Sequence, residues 1–388
     1  GGADFASGAV DLPDDRTPGG VGQRLQRVQR PGGQQRSQSR PFLFCGRALR
    51  RGDHDLLASL PGGTERDQQG RQRQAGGGSL DHALHLHHEI GCLFAECALG
   101  LLAVANLPAS AVRAIGSHGQ TVRHAPNGPS PHSLQIGNAA LIAARTGIAT
   151  VADFRSSDIA AGGQGAPLAP AFHKAVFGAR RGRAVLNLGG MANISVLDTD
   201  NGRPWGWDIG PGNVLLDAWA QRHLRQACDA EGRFAASGSV DTNLLDALLA
   251  HPYITVPPPK STGREDFNLA WLDEVLAVFP PLAPATVQAT LAEFTAACVA
   301  LSLADEPTVT ELLVCGGGLR NADLMRRIAA RLPRLDVAST SRAGLDPQWI
   351  EALAFAWLAR QRTHEQALDL RGVTGARRSV VLGCVYLP

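Results

Sequence analysis

Two apolar runs that end directly in glycine-rich turns constrain the fold of this chain more than any other feature. Residues 186–193 read LNLGGMAN and residues 312–321 read LLVCGGGLRN. A short apolar run bounded by glycine is typical of a buried strand. A helical pattern follows the second turn at 322–331. Strands that alternate with helices predict an α/β fold with largely parallel sheets and ligand loops at strand ends.

The same alternation continues from about His87 to Pro388. The sequence predicts helices at 90–105, 139–146, 213–225, 286–303, 322–331 and 351–360, and strands at 112–115, 150–153, 184–188, 194–197 and 311–315. We expect Gln and Glu on the exposed face of the 286–303 helix. Residues from about 13 to 80 differ, because Arg, Gln, Gly and Asp dominate there and no helix or strand period is sustained. Such a composition is typical of disorder or low complexity.

Composition narrows the class of protein. The 37 Lys and Arg nearly balance the 35 Asp and Glu, for a net charge of +2, so we expect no nucleic-acid or membrane partner. The apolar stretch 90–105 contains Glu96 and is shorter than a bilayer span. Without a secretory signal pattern, we predict a cytoplasmic protein. The 7 cysteines show no CxxC spacing and the histidines no zinc spacing, so no metal ligand is assigned.

The two glycine turns are candidate phosphate loops. Glycine after a strand lets the backbone approach a phosphate closely and direct its N–H groups toward it. The helix behind the second turn adds a favourable dipole. Two ordinary tight strand exits remain the alternative. Neither turn matches a Walker A loop or a dinucleotide fingerprint.

Asp208 is the candidate general base. It lies in GWDIGPGN, between an aromatic-rich strand and a rigid Gly-Pro-Gly turn, which would fix its position while its oxygens face outward. The alternative is that Asp208 caps the helix beginning near Asn213. Asp217, on that helix, fits a structural role.

A second charged segment, VADFRSSDIAAGGQGAPL at 151–168, directly follows a strand. Arg155 could fork onto a substrate carboxylate or hydroxyls, and the glycines could let the loop close over a ligand. The alternative is an internal ion pair between Asp153 and an arginine. His118 in SHGQT could contact a ligand or be a hydrogen-bonded structural residue.

Two further segments carry candidate groups. Residues 260–265, KSTGRE, follow a proline-rich loop and fit a surface clamp or a lobe-closure element. Glu351 lies in the first turn of an apolar helix. Its carboxylate could favour the helix dipole or accept hydrogen bonds from sugar hydroxyls.

Taken in order, these motifs resemble the anhydro-N-acetylmuramic acid kinase family over about residues 87–388. The matching segments are LHHEIGCLFAECALGLLA, SHGQTVRH, LQIGNAALIAARTGI, VADFRSSDIAAGGQGAPLAPAFH, VLNLGGMANIS, GWDIGPGNVLLDAW, PKSTGREDFN, LLVCGGGLRN and WIEALAFAWLA. The resemblance implies the actin/hexokinase-like ATPase fold, with two ribonuclease-H-like lobes around a substrate cleft, usually as a homodimer. The lobes would be 1–150 with 371–388, and 151–370.

The resemblance also implies a reaction in peptidoglycan recycling. Such kinases use ATP and Mg²⁺ to open 1,6-anhydro-N-acetylmuramic acid with water and to phosphorylate O6. Asp208 would activate the water. The implied substrate-binding residues are Arg155, Glu351, His118, Gln120 and Thr121. The implied nucleotide-binding residues are Gly189, Gly190, Asn193, Gly316, Gly317, Gly318 and Asn321.

One departure from the family concerns the N-terminal region. The family opens with a Ser-Gly-Thr-Ser-x-Asp-Gly hairpin that cradles ATP phosphates, and no such segment occurs in this chain. Our hypothesis is an N-terminal truncation followed by an out-of-frame region, and the alternative is a divergent or disordered N-terminus. Two functional alternatives follow: a catalytically impaired, sugar-binding relative, and a kinase of another sugar.

Overall fold

The computed structural model describes residues 42–44, 78–197 and 205–388. Of residues 42–44 only the backbone is described. The compositionally unusual stretch 13–80 therefore lies almost entirely outside the described residues, and so do the hypotheses about it.

The described residues form a mixed α/β structure. The strands are β1 Phe42–Phe44, β2 Ala114–Gly116, β3 Gln120–Ala125, β4 His132–Ile136, β5 Thr150–Ala152, β6 Arg183–Leu188, β7 Met191–Val196, β8 Trp205–Pro211, β9 Glu311–Cys315, β10 Asp336–Ser339 and β11 Cys384–Tyr386. The helices are α1 Gly78–Val104, α2 Ala139–Thr146, α3 Ser156–Ala160, α4 Ala169–Phe177, α5 Val214–Leu224, α6 Arg233–Ala236, α7 Thr242–Leu249, α8 Leu269–Leu276, α9 Pro284–Ser302, α10 Ala322–Arg331, α11 Ile350–Thr363 and α12 Arg371–Thr374.

The chain separates into two compact units. Among the described residues, the first comprises 42–44, 78–165, 351–368 and 377–388, and the second comprises 166–197, 205–350 and 369–376. Residues 151–165 and most of α11 thus lie with the first unit. The lobe boundaries expected from the sequence stay a prediction.

The first unit contains a four-stranded sheet of order β1-β2-β5-β11 and the separate hairpin β3-β4. Strands β1, β2 and β5 are parallel, and β11 is antiparallel to β5. The buried side chains of α1 repeat every four residues, which places them on one face of the helix. They are Leu86, Ile90, Phe94, Ala98 and Leu102.

Helix α1 is longer than the sequence predicted. It has 27 residues and begins at Gly78, whereas the sequence predicted a helix only over 90–105. The prediction missed the N-terminal turns because polar residues surround one buried stripe there. By length and composition alone, Leu80–Val104 and Pro284–Ser302 could each cross a membrane. The helix that contains nearly all of the 90–105 stretch is thus longer than the stretch itself, and the expected lack of a membrane partner stays a prediction. Packing of both helices within their own units accounts for their buried apolar side chains.

The second unit contains a five-stranded sheet of order β10-β9-β6-β7-β8. Strands β10, β9 and β6 are parallel, whereas β6, β7 and β8 form an antiparallel meander. The apolar residues 312–315 of β9 are all buried, as a continuous apolar run predicts. Glu311, which begins the strand, is buried too and pairs with Arg183 at 2.6 Å. The apolar residues of this sheet pack with α9 in one core.

Helix α9 corrects one expectation from the sequence. Gln288 is fully buried, and its side-chain amide donates to Leu216 O at 3.3 Å and to Asp229 Oδ2 at 3.4 Å. The amide belongs to the core of the unit and not to an exposed face. Because helix periodicity assigns faces only by hydrophobicity, a buried and hydrogen-bonded glutamine is placed on the wrong side.

A buried histidine lies between α4 and β7. His173 is fully buried, and its Nδ1 lies 2.7 Å from Ser195 Oγ. Burial lowers the pKa of His173 to about 3. The neutral imidazole is therefore part of the folded core.

This histidine should make the stability of the protein pH-dependent. Below its ordinary pKa of about 6.5, the unfolded histidine binds a proton that folded His173 does not. The free energy of unfolding should therefore fall as the pH is lowered from about 6.5 toward 3, by up to about 1.4 kcal/mol per pH unit. Urea unfolding of the wild type and of His173→Gln, compared from neutral to acid pH, measures this difference. Parallel stability curves would contradict it.

Candidate functional site

A row of polar side chains crosses the sheet of the second unit. Asn187 on β6 is the register partner of Cys315 on β9 and of Asn193 on β7, and Asn193 is the partner of Asp208 on β8. Directly opposed residues share a face of the sheet. A register shift beside Asn193 leaves Ile209 as an extra residue, and such bulges re-aim neighbouring side chains. Cys315, Asn187, Asn193 and Asp208, each on a different strand, thus form one polar row.

Asp208 is held on several sides by the segment 253–262. The side chain is only 7% exposed. The Thr262 N–H donates to Asp208 Oδ2 at 3.2 Å, and the Asp208 N–H donates to Lys260 O at 3.3 Å. The Tyr253 hydroxyl donates to Asp208 O at 2.7 Å. These bonds fix the carboxylate, and Asp208 lies within β8 instead of capping α5.

Lys260 anchors that segment. Only 7% exposed, it donates from Nζ to Tyr253 O and to Ile254 O, both at 3.1 Å, and lies 4.6 Å from the centre of the Tyr253 ring. Burial lowers the pKa of Lys260 and raises the pKa of Tyr253, to which the negative charge of Asp208 also contributes. Tyr253 therefore stays protonated and able to donate. Lys260 is an internal anchor and not the expected surface clamp.

The carbonyl oxygens of the first glycine turn all face the start of α5. Asn213 Nδ2 donates to Leu188 O at 3.0 Å and to Gly189 O at 2.9 Å. Gly190 O accepts from the N–H groups of Gly212 at 2.9 Å and Val214 at 3.0 Å. In a trans peptide the C=O and N–H point in opposite directions. The N–H groups of Gly189, Gly190 and Met191 are therefore directed away from α5, as an anion-binding turn requires.

The Gly-Pro-Gly turn before α5 is itself held from the core. The Thr295 hydroxyl on α9 donates to Pro211 O at 3.0 Å, with Gly212 O at 3.2 Å. A buried helix therefore fixes the turn that follows β8, and through it the start of α5.

The second glycine turn packs directly against the first. Gly316 has a φ of +85°, and a Cβ there would lie 2.5 Å from Asn187 Oδ1 and 2.8 Å from Leu188 O. At Gly318 a Cβ would lie 2.6 Å from Leu188 Cβ. Both positions therefore require glycine. Gly317 faces open space, with nothing within 4 Å of a Cβ added there.

Asn321, expected on the nucleotide side, caps α10. Its Oδ1 accepts from the Leu324 N–H at 2.9 Å, and the residue is 8% exposed. This bond explains why an asparagine stands at the start of this helix. A direct contact of Asn321 with nucleotide stays a prediction.

In the first unit, Arg155 is the centre of a polar cluster. Its Nη1 donates to Gly165 O at 2.7 Å, and its Nη2 lies 2.7 Å from His118 Nε2. Gly165 N–H in turn donates to Asp158 Oδ2 at 2.7 Å. Asp153 accepts from Ser156 N and Oγ. The loop after β5 is thus held by local hydrogen bonds, and Arg155 spans it.

Both ring nitrogens of His118 are engaged. Nδ1 lies 3.0 Å from Gly119 O, and the ring centre lies 4.6 Å from that of Phe355. Because arginine only donates, Nε2 must accept and Nδ1 must carry the proton. Burial, followed by the charge of Arg155, lowers the pKa of His118 to about 3. This geometry gives His118 a role in orienting Arg155, and direct contact with a substrate stays a prediction.

Glu351 lies in the first turn of α11 and interacts electrostatically with Arg155. The residue is exposed, but the protein atoms around its carboxyl reduce hydration and raise its pKa, and the positive charge of Arg155 opposes this shift. On β3, Thr121 Oγ1 accepts from Gln135 Nε2 at 3.2 Å, and its neighbour Gln120 pairs with Ile136. The sugar-side residues predicted from the sequence therefore all lie in the first unit, with Arg155 coupled to His118 and Glu351.

Three residues with clear structural roles at these sites were missed by sequence reasoning. Asn187, Asn213 and Thr262 each bond or pair with a residue distant in the chain. Their only sequence signal is their position inside the motifs LNLGG, GPGN and KSTGRE. Among the residues that the structure describes, no group of three His, Cys, Asp or Glu could hold a metal ion.

The comparisons with known proteins decide the family. A sequence profile of the anhydro-N-acetylmuramic acid kinase family matches residues 54–388. An anhydro-N-acetylmuramic acid kinase of Xanthomonas campestris pv. campestris (strain 8004) is 51% identical over 310 residues, which cover 79% of this chain and 82% of the relative. One of Shewanella amazonensis is 48% identical over 314 residues, covering 81% and 85%. The chain belongs to this family.

Membership in the anhydro-N-acetylmuramic acid kinase family confirms that the chain is an enzyme of the kinase class that uses ATP. The described residues confirm the expected α/β class of fold. The profile begins at residue 54, earlier than the expected 87. Among solved structures, the activator of the 2-hydroxyisocaproyl-CoA dehydratase from Clostridium difficile with bound ADPNP shares 14% identity, covering 70% of this chain and 81% of that one. Its TM-score is 0.37, too low to bear on the fold.

The tautomer of His118 can be measured directly. We expect its imidazole to carry the proton on Nδ1 and to stay neutral from neutral pH down to about pH 4, because burial and Arg155 both oppose protonation. Long-range ¹H–¹⁵N correlation spectra of histidine-labelled protein would show this pattern, with His118→Gln assigning the signal. A proton on Nε2, or double protonation at about pH 5.5, would contradict the arrangement.

Proposed function

We propose that this kinase opens 1,6-anhydro-N-acetylmuramic acid with water and phosphorylates O6, giving N-acetylmuramic acid 6-phosphate for cell-wall recycling. The names of its relatives support the substrate. The structural observation that carries the proposal is Asp208, a carboxylate held by the Thr262 N–H in a row with Asn187 and Asn193.

Asp208 has the properties of a general base. Its backbone is tied on both sides, and one carboxylate oxygen accepts a backbone N–H, so its orientation is set before substrate arrives. In the proposed reaction Asp208 takes a proton from water as the water oxygen bonds to the anomeric carbon. The bond between that carbon and O6 breaks. O6 then bonds to the γ-phosphorus of ATP, and ADP leaves.

The two glycine turns fit the phosphates of ATP. The N–H groups of Gly189 and Gly190 point away from α5. The two turns pack so closely that a side chain at position 316 or 318 would not fit between them. Phosphoryl transfer depends on such positioning and on charge neutralisation more than on covalent chemistry by the protein. We therefore assign the nucleotide to Gly189, Gly190, Asn193 and residues 316–318.

Residues of the same row fit Mg²⁺. Asn193 Oδ1 is buried without a hydrogen-bond partner among the described residues, and its register partner is Asp208. Magnesium prefers oxygen ligands and is usually bound by one or two protein groups together with substrate phosphates. Asn193 would thus hold the ion, which neutralises phosphate charge when it binds with ATP, and Asp208 beside it stays the base.

The cluster of the first unit fits the amino sugar. Arg155, oriented by His118, presents a guanidinium suited to a carboxylate or hydroxyls, and Glu351 can accept hydrogen bonds from hydroxyls. Gln120 and Thr121 add amide and hydroxyl groups on β3. A cytoplasmic location, where ATP is available, a homodimeric state, and the lack of nucleic-acid or membrane partners are part of the same proposal.

The test is a coupled assay of ADP release with anhydro-N-acetylmuramic acid and Mg-ATP. Removal of the base in Asp208→Asn should lower kcat at least about 100-fold, the usual contribution of a general base. Asp246→Asn, an exposed aspartate on α7, is the matched control and should keep wild-type turnover.

The remaining outcomes separate the alternatives. Full turnover in Asp208→Asn would remove Asp208 as the base. A wild type that binds the sugar without releasing ADP would support a catalytically impaired relative. Turnover of another sugar in preference to this one would overturn the substrate.

A further inference from the structure

Asn213 stands in a capping position but does not cap. It is the residue immediately before α5, where asparagine normally accepts a backbone N–H from the first turn. Its side chain makes no such bond. Asn138, Asn268 and Asn321 stand in the same position before α2, α8 and α10, and each accepts from the third residue of its helix. Asn213 alone among these four has turned its amide elsewhere.

The amide of Asn213 joins three pieces of chain at the phosphate turns. Nδ2 donates to Leu188 O and Gly189 O, and both neighbours are carbonyl oxygens, so the NH₂ group must face them. The amide also touches the second turn, because a Cβ on Gly318 would lie 3.1 Å from Asn213 Oδ1 and 3.2 Å from Nδ2. One side chain therefore contacts both glycine turns and the start of α5.

These bonds determine which way the first turn presents its donors. The peptide that carries Leu188 O also carries the Gly189 N–H, and the peptide that carries Gly189 O also carries the Gly190 N–H. By holding the two oxygens, Asn213 directs the two N–H groups to the opposite side. The Asn213 backbone N–H also donates to Gly189 O, at 2.9 Å, so this peptide keeps one bond when the side chain changes. Without the side chain, the Leu188–Gly189 peptide could rotate and the Gly189–Gly190 peptide would be held less firmly, since glycine resists such rotation least.

We propose that Asn213 is a positioning residue for nucleotide, which gives up the helix cap to orient the Gly189 and Gly190 N–H groups toward a phosphate. The inference rests on the proposed function, since it assumes that this turn binds ATP. It concerns the nucleotide and not the sugar, and its effect should appear in the KM for ATP and in the affinity for Mg-ADP.

The variants that test this proposal have opposite effects on folding and on binding. Asp and Ser are good helix caps, so Asn213→Asp and Asn213→Ser should keep or raise the thermal stability of the protein. Both lose the NH₂ donor to Leu188 O and Gly189 O. We expect the KM for ATP and the Kd for Mg-ADP to rise about tenfold, as for the loss of one or two hydrogen bonds. The KM for the sugar should stay within about twofold.

The matched control is Asn138→Ala, which removes a cap from α2 in the other unit. It should lower thermal stability and leave the KM for ATP unchanged, so the two readouts separate a merely structural asparagine from a positioning one. Titration calorimetry with Mg-ADP, steady-state kinetics and thermal melts on the full chain supply the measurements.

Each result has a definite meaning. Nucleotide affinity within about twofold of an active wild type in both Asn213 variants would overturn the proposal and leave the proposed function standing. Weakened nucleotide binding together with an equal loss of thermal stability would reduce Asn213 to a structural residue. A wild type that neither binds Mg-ADP nor turns over would overturn both proposals.

Discussion

The carbonyl oxygens of Leu188, Gly189 and Gly190 are all satisfied by the start of α5, and the rest of the nucleotide side depends on this fact. The first glycine turn follows the C-terminal end of β6, the central strand of the sheet. The core helix α9 holds the Gly-Pro-Gly turn that leads into α5. Because the C=O and N–H of a trans peptide point in opposite directions, the N–H groups face away from α5 when α5 binds the oxygens. A hydrogen-bond requirement of the backbone thus gives the turn the orientation that the proposed binding of a phosphate needs.

Hydrogen bonds from neighbouring segments also determine the position of Asp208. A carboxylate this buried is costly unless it is hydrogen-bonded. The segment 253–262 supplies a backbone donor, and Lys260 holds that segment by donating to two of its carbonyls. In the first unit, Arg155 is oriented by a histidine whose burial keeps it neutral. In both units, the group proposed to meet the ligand is oriented by hydrogen bonds with neighbouring residues.

Sequence reasoning located about half of the helices and strands, together with the main charged residues, because apolar runs, glycine turns and helix periodicity are local properties. It missed the start of α1 at Gly78, where polar residues surround a narrow buried stripe. It also missed the hairpin β3-β4. Strand β3 is intermediate in burial at nearly every position, so no alternating pattern marks it, and β4 alternates over only five residues. Asn213 was named only as the start of a helix, because its partners lie 24 and 25 residues earlier.

By itself, the sequence determined the family, the α/β class of the fold, and the choice of Asp208, Arg155 and the glycine turns as candidates, since these depend on residue type and spacing. Only the tertiary structure decided how each group is used. In the structure Asn321 caps α10, whereas Asn213 binds the carbonyl oxygens of the first glycine turn. Lys260 donates to backbone carbonyls inside the unit, and Asn193 pairs with Asp208. The reason is physical: a hydrogen bond has a direction, and that direction exists only after distant segments have packed together.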